Sequence, residues 1–392
     1  MGVSALSQLT CAVRLQRRNW NSVGSSVNVK LGEIACLSAF SITGVRPFTL
    51  ELPAGENTPL EHTPCVELKD VLYLPNVLEP GQSLCLVNEW IVPKESVLDS
   101  DVVEFYKAKR EEERFRGKYA EDFETVSSSE KVCILGNLFA RNFGHWTEEL
   151  LKVAALEASG AAYKYVMADL PPFARGFLNF LGIADERIIS VSQPTIFDRA
   201  VFLRAVNHEN ISDHPSVLHR LRELVGLRLQ NRPSKFGPRV WMERGDLIRN
   251  SGTTLNKEEV YECIGRHGFE VVDMATLSPA DQLATARSAS ALSGPHGSQF
   301  VHCQFMPTSS VVIECFSPLH MNPSVLGICR TLKHSYHQIV SRTQMKRPYQ
   351  HRRNCIVDCE HLEFVLASLD SGNSGGAGPI VNCEAVDRAT AS

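Results

Sequence analysis

The order of apolar and polar positions divides this chain into stretches of different character. Residues 1–30 carry weak periodicity and read as a lead-in. From 31 to 98, short apolar runs (ACLSAFSI, DVLYLP, SLCLVNEWIVP) are broken by Pro and Gly, the pattern of short strands and turns. Residues 99–130 are dense in charges of both signs, which suits an exposed helix followed by a loop. From 131 the pattern becomes strand–helix alternation. KVCILGNL (131–138) and YKYVMA (163–168) predict strands, and HWTEELLKVAALEASG (145–160) and PPFARGFLNFLG (171–182) predict helices, the second opened by Pro and closed by Gly. RIISV and RAVFL add two short strands, and HPSVLHRLRELVGLRLQ (214–230) a long amphipathic helix. The breaker-rich QNRPSKFGP (230–238) then reads as a linker between two lobes.

Beyond the linker the alternation is cleaner. RVWME is a predicted strand. Asn256, with Glu259 three residues on, opens a helix as a capping-box-like pair, and Gly268 closes it after His267. FEVVD is the next strand. Ser278 caps a further helix with Pro279 first and Asp281 third. ASALSG is a strand, PHGSQFVHCQFM a loop plus helix, and SVVIECF another strand. This βαβ series implies a parallel sheet, and ligands of such sheets sit outside the carboxyl ends of the strands. The expected organisation is a lead-in over 1–30, a first lobe over 31–230, a second α/β lobe over 238–345, a C-terminal segment over 346–369 and a disordered Gly/Ser-rich tail over 370–392.

Composition narrows the class. At roughly 100–200 residues per domain, 392 residues predict two globular domains. A net charge of −4 argues against a general nucleic-acid binder, which needs a basic face. The 12 cysteines include no CxxC pair and several lie in apolar runs, so they are expected to be reduced thiols in a cytoplasmic protein. A disulfide network in a secretory compartment is the alternative. No stretch approaches the roughly 18–20 apolar residues that span a bilayer, so any membrane contact is expected to be peripheral. Oligomeric state is not legible.

Three segments carry candidate chemistry. In Gly294-Pro-His-Gly-Ser-Gln, Gly294 and Gly297 would let the backbone turn tightly, and the next helix would aim N–H groups at an anion beside His296, Ser298 and Gln299. An ordinary strand-to-helix turn would read the same way. Arg244 leaves the carboxyl end of the RVWM strand and, with Arg249 nearby, offers planar, permanently charged guanidinium groups suited to phosphates. Glu314 lies inside an apolar strand, where a carboxylate is costly unless paired, either with ligand hydroxyls or with Arg244 or Arg330. On the helix at 145, His145, Glu149 and Lys152 form one polar stripe and Trp146, Leu150 and Val153 an apolar one. His145 and Glu149 are therefore expected to touch, which fits a general base, and Glu148 is one step around and could substitute. A surface i, i+4 pair would look the same. Asp99-Ser100-Asp101 superficially matches a metal-binding DxD but precedes a charged stretch rather than closing a buried strand, and no histidine spacing suggests zinc.

The pieces NFGHWTEELLKV, RVWMERGD with RNSGTTLNKEEVYECIGRHGFEVVD, and LSPADQLATARSASALSGPHGSQFVHCQFMPTSSVVIECF, in this order, resemble the family 61 glycosyltransferases. The likeness covers about residues 130–320, with a weaker echo at LCLVNEWIVPKES. It implies a GT-B-like α/β fold of two Rossmann-like lobes with a ligand cleft between them. It also implies inverting transfer of a sugar from a nucleotide-sugar donor, a UDP-sugar first, to a hydroxyl of a glycan or other acceptor. On that basis Arg244, Arg249, Gly294, His296, Gly297, Ser298, Gln299 and Glu314 would bind donor, and His145 with Glu149 or Glu148 would serve the acceptor side. No cofactor and no essential metal are expected. The chain departs from the family's usual residues at Glu243, Thr147-Glu148, Lys152-Val153 and Ser298. Two alternatives stay open: a nucleotide-sugar epimerase or hydrolase on the same fold, and a catalytically silent subunit of a polysaccharide-synthesis complex.

Overall fold

The apolar runs of the sequence become strands of two separate sheets. The structure is a computed structural model and describes residues 46–52, 61–74, 84–87, 90–91, 124–126, 131–135, 142–168, 172–193, 195–203, 208, 211–243, 254–318, 321–341 and 356–371. The lead-in 1–30, the charged segment through 123 with Asp99 and Asp101, Arg244, Arg249 and the tail from 372 lie outside the described residues. By its contacts the chain divides into two compact units, Met1–Asn207 with His219–Leu221, and His208–Leu218 with Arg222–Ser392. Residues 230–238, where the sequence reading set the linker, belong to the second unit.

The first unit holds a nine-stranded mixed sheet. Strands β1 (Arg46–Leu52), β2 (Glu61–Leu74), β3 (Leu84–Val87) and β4 (Trp90–Ile91) pair antiparallel, and β2 pairs antiparallel with β9 (Thr195–Leu203). β5 (Glu124–Val126) and β6 (Lys131–Ile134) run parallel to β9, and β7 (Tyr163–Met167) and β8 (Ile188–Ser190) continue the parallel half. Helices α1 (Phe143–Ala158) and α2 (Pro172–Phe180) are the crossovers that parallel strands require. Val71, Tyr73, Val132, Ile134, Val166, Phe197 and Ala200 form a core on this sheet.

The second unit takes α3 (Pro215–Leu229) apart from His219–Leu221 and holds a fully parallel sheet of β10 (Arg239–Glu243), β11 (Glu270–Asp273), β12 (Ala291–Pro295), β13 (Val311–Phe316) and β14 (Ser335–Val340). Its spatial order is β11-β10-β12-β13-β14, which in chain order is 2-1-3-4-5. The connections are α4 (Lys257–Arg266), α5 (Pro279–Ser288), a 3-10 helix (Ser298–Phe305) and α6 (Leu326–Leu332), and α7 (Cys359–Asp370) follows the last strand. Winding reverses between β10 and β12, so the crevice outside their carboxyl ends is the switch point where ligands of such sheets bind. Val260, Cys263 and Ile264 of α4 and Leu362, Val365 and Leu366 of α7 share one core with Trp241, Ile313, Cys315 and Ile339. Since strand side chains alternate, the even-numbered Glu314, Phe316, Tyr336 and Gln338 face away from that core.

Local signals explain where the helices begin. Ser278 Oγ accepts from the Asp281 amide at 3.2 Å, and Pro279 occupies the first position. Asp281 is further gripped by Arg232 and Lys235 at 2.7 and 3.0 Å. Asn256 does not act as the sequence predicts. Its side chain does not cap the backbone of α4. The Nδ2 donates to Glu259 Oε2 and to the Val357 carbonyl, and Oδ1 accepts from the Val357 amide. A capping residue has been turned to bracket the backbone that leads into α7.

Candidate functional site

The switch point of the second unit is built around Gly294. This residue has φ +153, and a Cβ placed on it would lie 2.6 Å from the Met242 carbonyl oxygen. Only glycine lets β12 press so closely on the end of β10. Gly297 is different: it lies in a bend, but at φ 166, ψ 177 its backbone is extended, a conformation other residues adopt, so the turn does not require glycine there. Gln299 secures the loop across the same gap. Its Nε2 donates to the Met242 carbonyl at 2.9 Å and approaches the Pro295 carbonyl at 3.4 Å. Gln299 thus fixes the shape of the loop. The His296 amide donates to the Cys315 carbonyl. The helix that follows is 3-10 rather than α, and the amides of Ser298 and Gln299 are in its first turn, where N–H groups lack partners within the helix.

Glu314 is the polar centre beneath this loop. Its side chain is fully buried, and β12–β13 register sets it directly beside Gly294. His296 Nδ1 lies 2.5 Å from Oε1, and the Tyr336 hydroxyl donates to Oε2 at 2.6 Å. Among the described residues an imidazole and a phenol satisfy this carboxylate. Tyr336 escaped the sequence reading, because its role depends on the β13–β14 register, in which Glu314 pairs with Gln338 and Tyr336 stands two residues back on the same face. Alternation within SYHQIV was the one available signal. Burial first, then the charge of Glu314, raises the Tyr336 phenol well above its ordinary pKa, so it serves as a donor. The His296 ring also stacks on Phe316, with centroids 4.7 Å apart and planes inclined by 23°.

The first unit presents a second cluster at the start of α1. Asn142 caps this helix, its Oδ1 accepting from the Gly144 amide at 2.9 Å, and Thr147 Oγ1 donates to the Gly144 carbonyl. His145 Nδ1 lies 3.2 Å from Glu148 Oε2, with the histidine side chain 43% exposed and the glutamate nearly buried. The expected His145–Glu149 pair is corrected by this geometry. Glu149 turns the other way into the interior, where Lys152 Nζ meets its Oε1 at 3.2 Å. Among the described residues the second oxygen of Glu149 has no hydrogen-bond partner. The apolar stripe of Trp146, Leu150 and Val153 is buried as the spacing predicts. Burial nevertheless continues through Thr147, Glu148, Glu149 and Lys152, which periodicity does not reveal.

Among the described residues no group of His, Cys, Asp and Glu is arranged to hold a metal ion. None of the described helices is long and apolar enough to cross a membrane. Cys133, Cys263, Cys303, Cys315, Cys329 and Cys359 carry free thiols.

A parallel sheet of order 2-1-3-4-5, with a glycine-dependent loop at its switch point, is consistent with a Rossmann-like α/β lobe. Residues 143–313 match the family model described as Glycosyltransferase 61, a segment that takes in His145, Glu148 and Glu149 and the Gly294–Gln299 loop and ends one residue before Glu314. The match marks a family 61 glycosyltransferase domain over those residues and supports a glycosyltransferase. No curated protein matches the chain.

Proposed function

We propose that this glycosyltransferase moves a sugar from a nucleotide-sugar donor, a UDP-sugar first, to a hydroxyl of a glycan or other acceptor with inversion at the anomeric carbon. A GT-B-type arrangement, in which the second unit takes donor and the first takes acceptor, is part of this proposal. The observation that carries it is the Gly294–Gln299 loop, braced on β10 through Met242 and underpinned by the His296–Glu314 pair at the switch point. There His296, Ser298 and the first amides of the 3-10 helix would meet the diphosphate, and Arg244 and Arg249 would follow from the end of β10. Gly297 would allow close approach of ligand, and Glu314 acts through His296.

In an inverting transfer the acceptor oxygen attacks the anomeric carbon from the face opposite the diphosphate. The new C–O bond forms as the bond to the diphosphate oxygen breaks, a base takes the hydroxyl proton, and the nucleoside diphosphate leaves as an anion. His145, oriented by Glu148, has the exposure and partner of such a base. Fixed positive groups and oriented amides stabilise the departing charge. Glu149 is paired internally with Lys152, and its role in this scheme is to hold the helix that carries His145.

The test is thermal stabilisation of the full chain by UDP, repeated with Arg244→Ala, together with mass-spectrometric product analysis using pooled acceptors. UDP should raise the melting temperature of the wild type and lose that effect in the variant, and His145→Ala should lower turnover more than UDP affinity. Absence of UDP binding overturns the donor assignment. Isomerised or hydrolysed donor with no glycosylated product would instead indicate an epimerase or hydrolase.

A further inference from the structure

We infer that Tyr336 is a positioning residue for the donor loop: by donating its hydroxyl to Glu314 it holds that carboxylate on His296 Nδ1 and so fixes which ring nitrogen meets a bound donor. This rests on reading the 294–299 loop as the donor site. The relay itself is a matter of geometry within one sheet.

Register and alternation bring the groups together. Glu314 and Phe316 on β13 share a face with Tyr336 and Gln338 on β14, and the β12 end delivers His296 over the same face, where it stacks on Phe316. Glu314 has no exposed surface, and among the described residues no lysine or arginine forms an ion pair with it. A carboxylate so placed costs several kcal/mol unless its oxygens are satisfied. Here each oxygen takes one short bond, 2.5 Å to His296 and 2.6 Å to Tyr336. An ionised carboxylate only accepts, so the ring must carry its proton on Nδ1. Tyr336 in turn accepts from Gln338 Nε2 at 3.3 Å, which completes the directed chain Gln338, Tyr336, Glu314, with His296 donating from the other side.

Each link has a separate task. Phe316 limits rotation of the imidazole plane, Glu314 selects its tautomer, and Nε2 becomes the nitrogen presented on the loop side. Tyr336 holds the other oxygen and so fixes the orientation of the carboxylate toward Nδ1. Without the phenol, one buried oxygen loses its donor, and the carboxylate can turn away from the ring. A Glu314 that has turned away no longer holds the proton on Nδ1, and the ring is released to exchange tautomers. Among the described residues, Cys303 of the 3-10 helix and Cys329 of α6 also face this set. Burial raises Cys303 well above its ordinary value, so it adds no charge near neutral pH.

The experiment uses the full chain with nitrogen-labelled histidine. Long-range proton–nitrogen spectra report the tautomer of His296, and calorimetry with UDP as the probe reports affinity across pH. In the wild type, His296 should show the Nδ1-protonated pattern below UDP saturation. Tyr336→Phe should keep its melting temperature within a few degrees, mix the His296 tautomers, and weaken UDP binding about 10-fold at neutral pH, the scale of supporting hydrogen bonds around active groups. A purely structural tyrosine would alter stability and leave the tautomer and the UDP affinity in place, and that outcome overturns the inference. Should Tyr336→Phe fail to fold, wild-type His296 protonated on Nε2 overturns it equally. Failure of the wild type to bind UDP removes the donor reading alone, because the tautomer is measured without ligand.

Discussion

Gly294 carries the sharpest requirement at the scale of single residues. An alanine methyl there would meet a backbone carbonyl, which cannot swing aside as a side chain can, at a φ that L-residues rarely adopt. Gly294→Ala should therefore cost about 3 kcal/mol or more by denaturant unfolding, as strain and overlap combine. An effect below 1 kcal/mol would mean that β10 and β12 can separate without penalty. Gly297 sits at an extended φ, so the glycines of Gly294-Pro-His-Gly are not equivalent although the sequence presents them alike. The same limit applied to His145. Helical spacing placed both Glu148 and Glu149 within reach, and only the buried Lys152 decided which glutamate would remain with the histidine.

Elements were legible where their signals are local. Ser278-Pro279 with Asp281 names the start of α5, and continuous apolar runs name β12 and β13. The N-terminal strands were less so. β2 runs for 14 residues through a polar-interrupted sequence, because its ladders to β1, β3 and β9 are set by residues far along the chain. Asn256 shows the same competition between local and distant partners. Its cap signature is sound, yet Val357, 101 residues away, takes the side chain. Asn256→Ala should leave the 356–357 backbone with two fewer hydrogen bonds and lower stability by about 1–3 kcal/mol. Hydrogen exchange should accelerate in α7 more than in α5, and uniform acceleration would contradict this account.

On the scale of the whole molecule, two sets of histidines in the second unit pull stability in opposite directions with pH. His267 lies between Asp370, 2.6 Å from Nδ1, and Glu363, 2.9 Å from Nε2. Burial alone would lower its pKa, but the two carboxylates outweigh that and raise it. Its stabilising charge is therefore fully present below about 6.5 and lost as pH climbs through the raised value. Hydrogen bonds from Arg266, His267 and Cys263 lower Glu363 to about 2, so this side of the cluster persists well into acid. His302 and His334 behave inversely. Burial lowers both to about 4, so the stability they confer is present above about 6.5 and lost as pH falls toward 4. The melting temperature should accordingly decline from near pH 6.5 toward 4, and His302→Gln should shallow that acid slope. On the alkaline side, His267→Gln should flatten any decline above neutrality. An acid slope unaffected by His302→Gln would show that this ring is hydrated in solution.

The family match stops at residue 313, halfway along β13, while the sheet runs on to β14 and is covered by α7. Anyone expressing the matched segment by itself would sever a central strand and strip Leu362, Val365 and Leu366 from the face they shield. Such a fragment should precipitate or be recovered only from inclusion bodies, so the boundary for recombinant work belongs beyond Asp370, not at the edge of the recognisable signature.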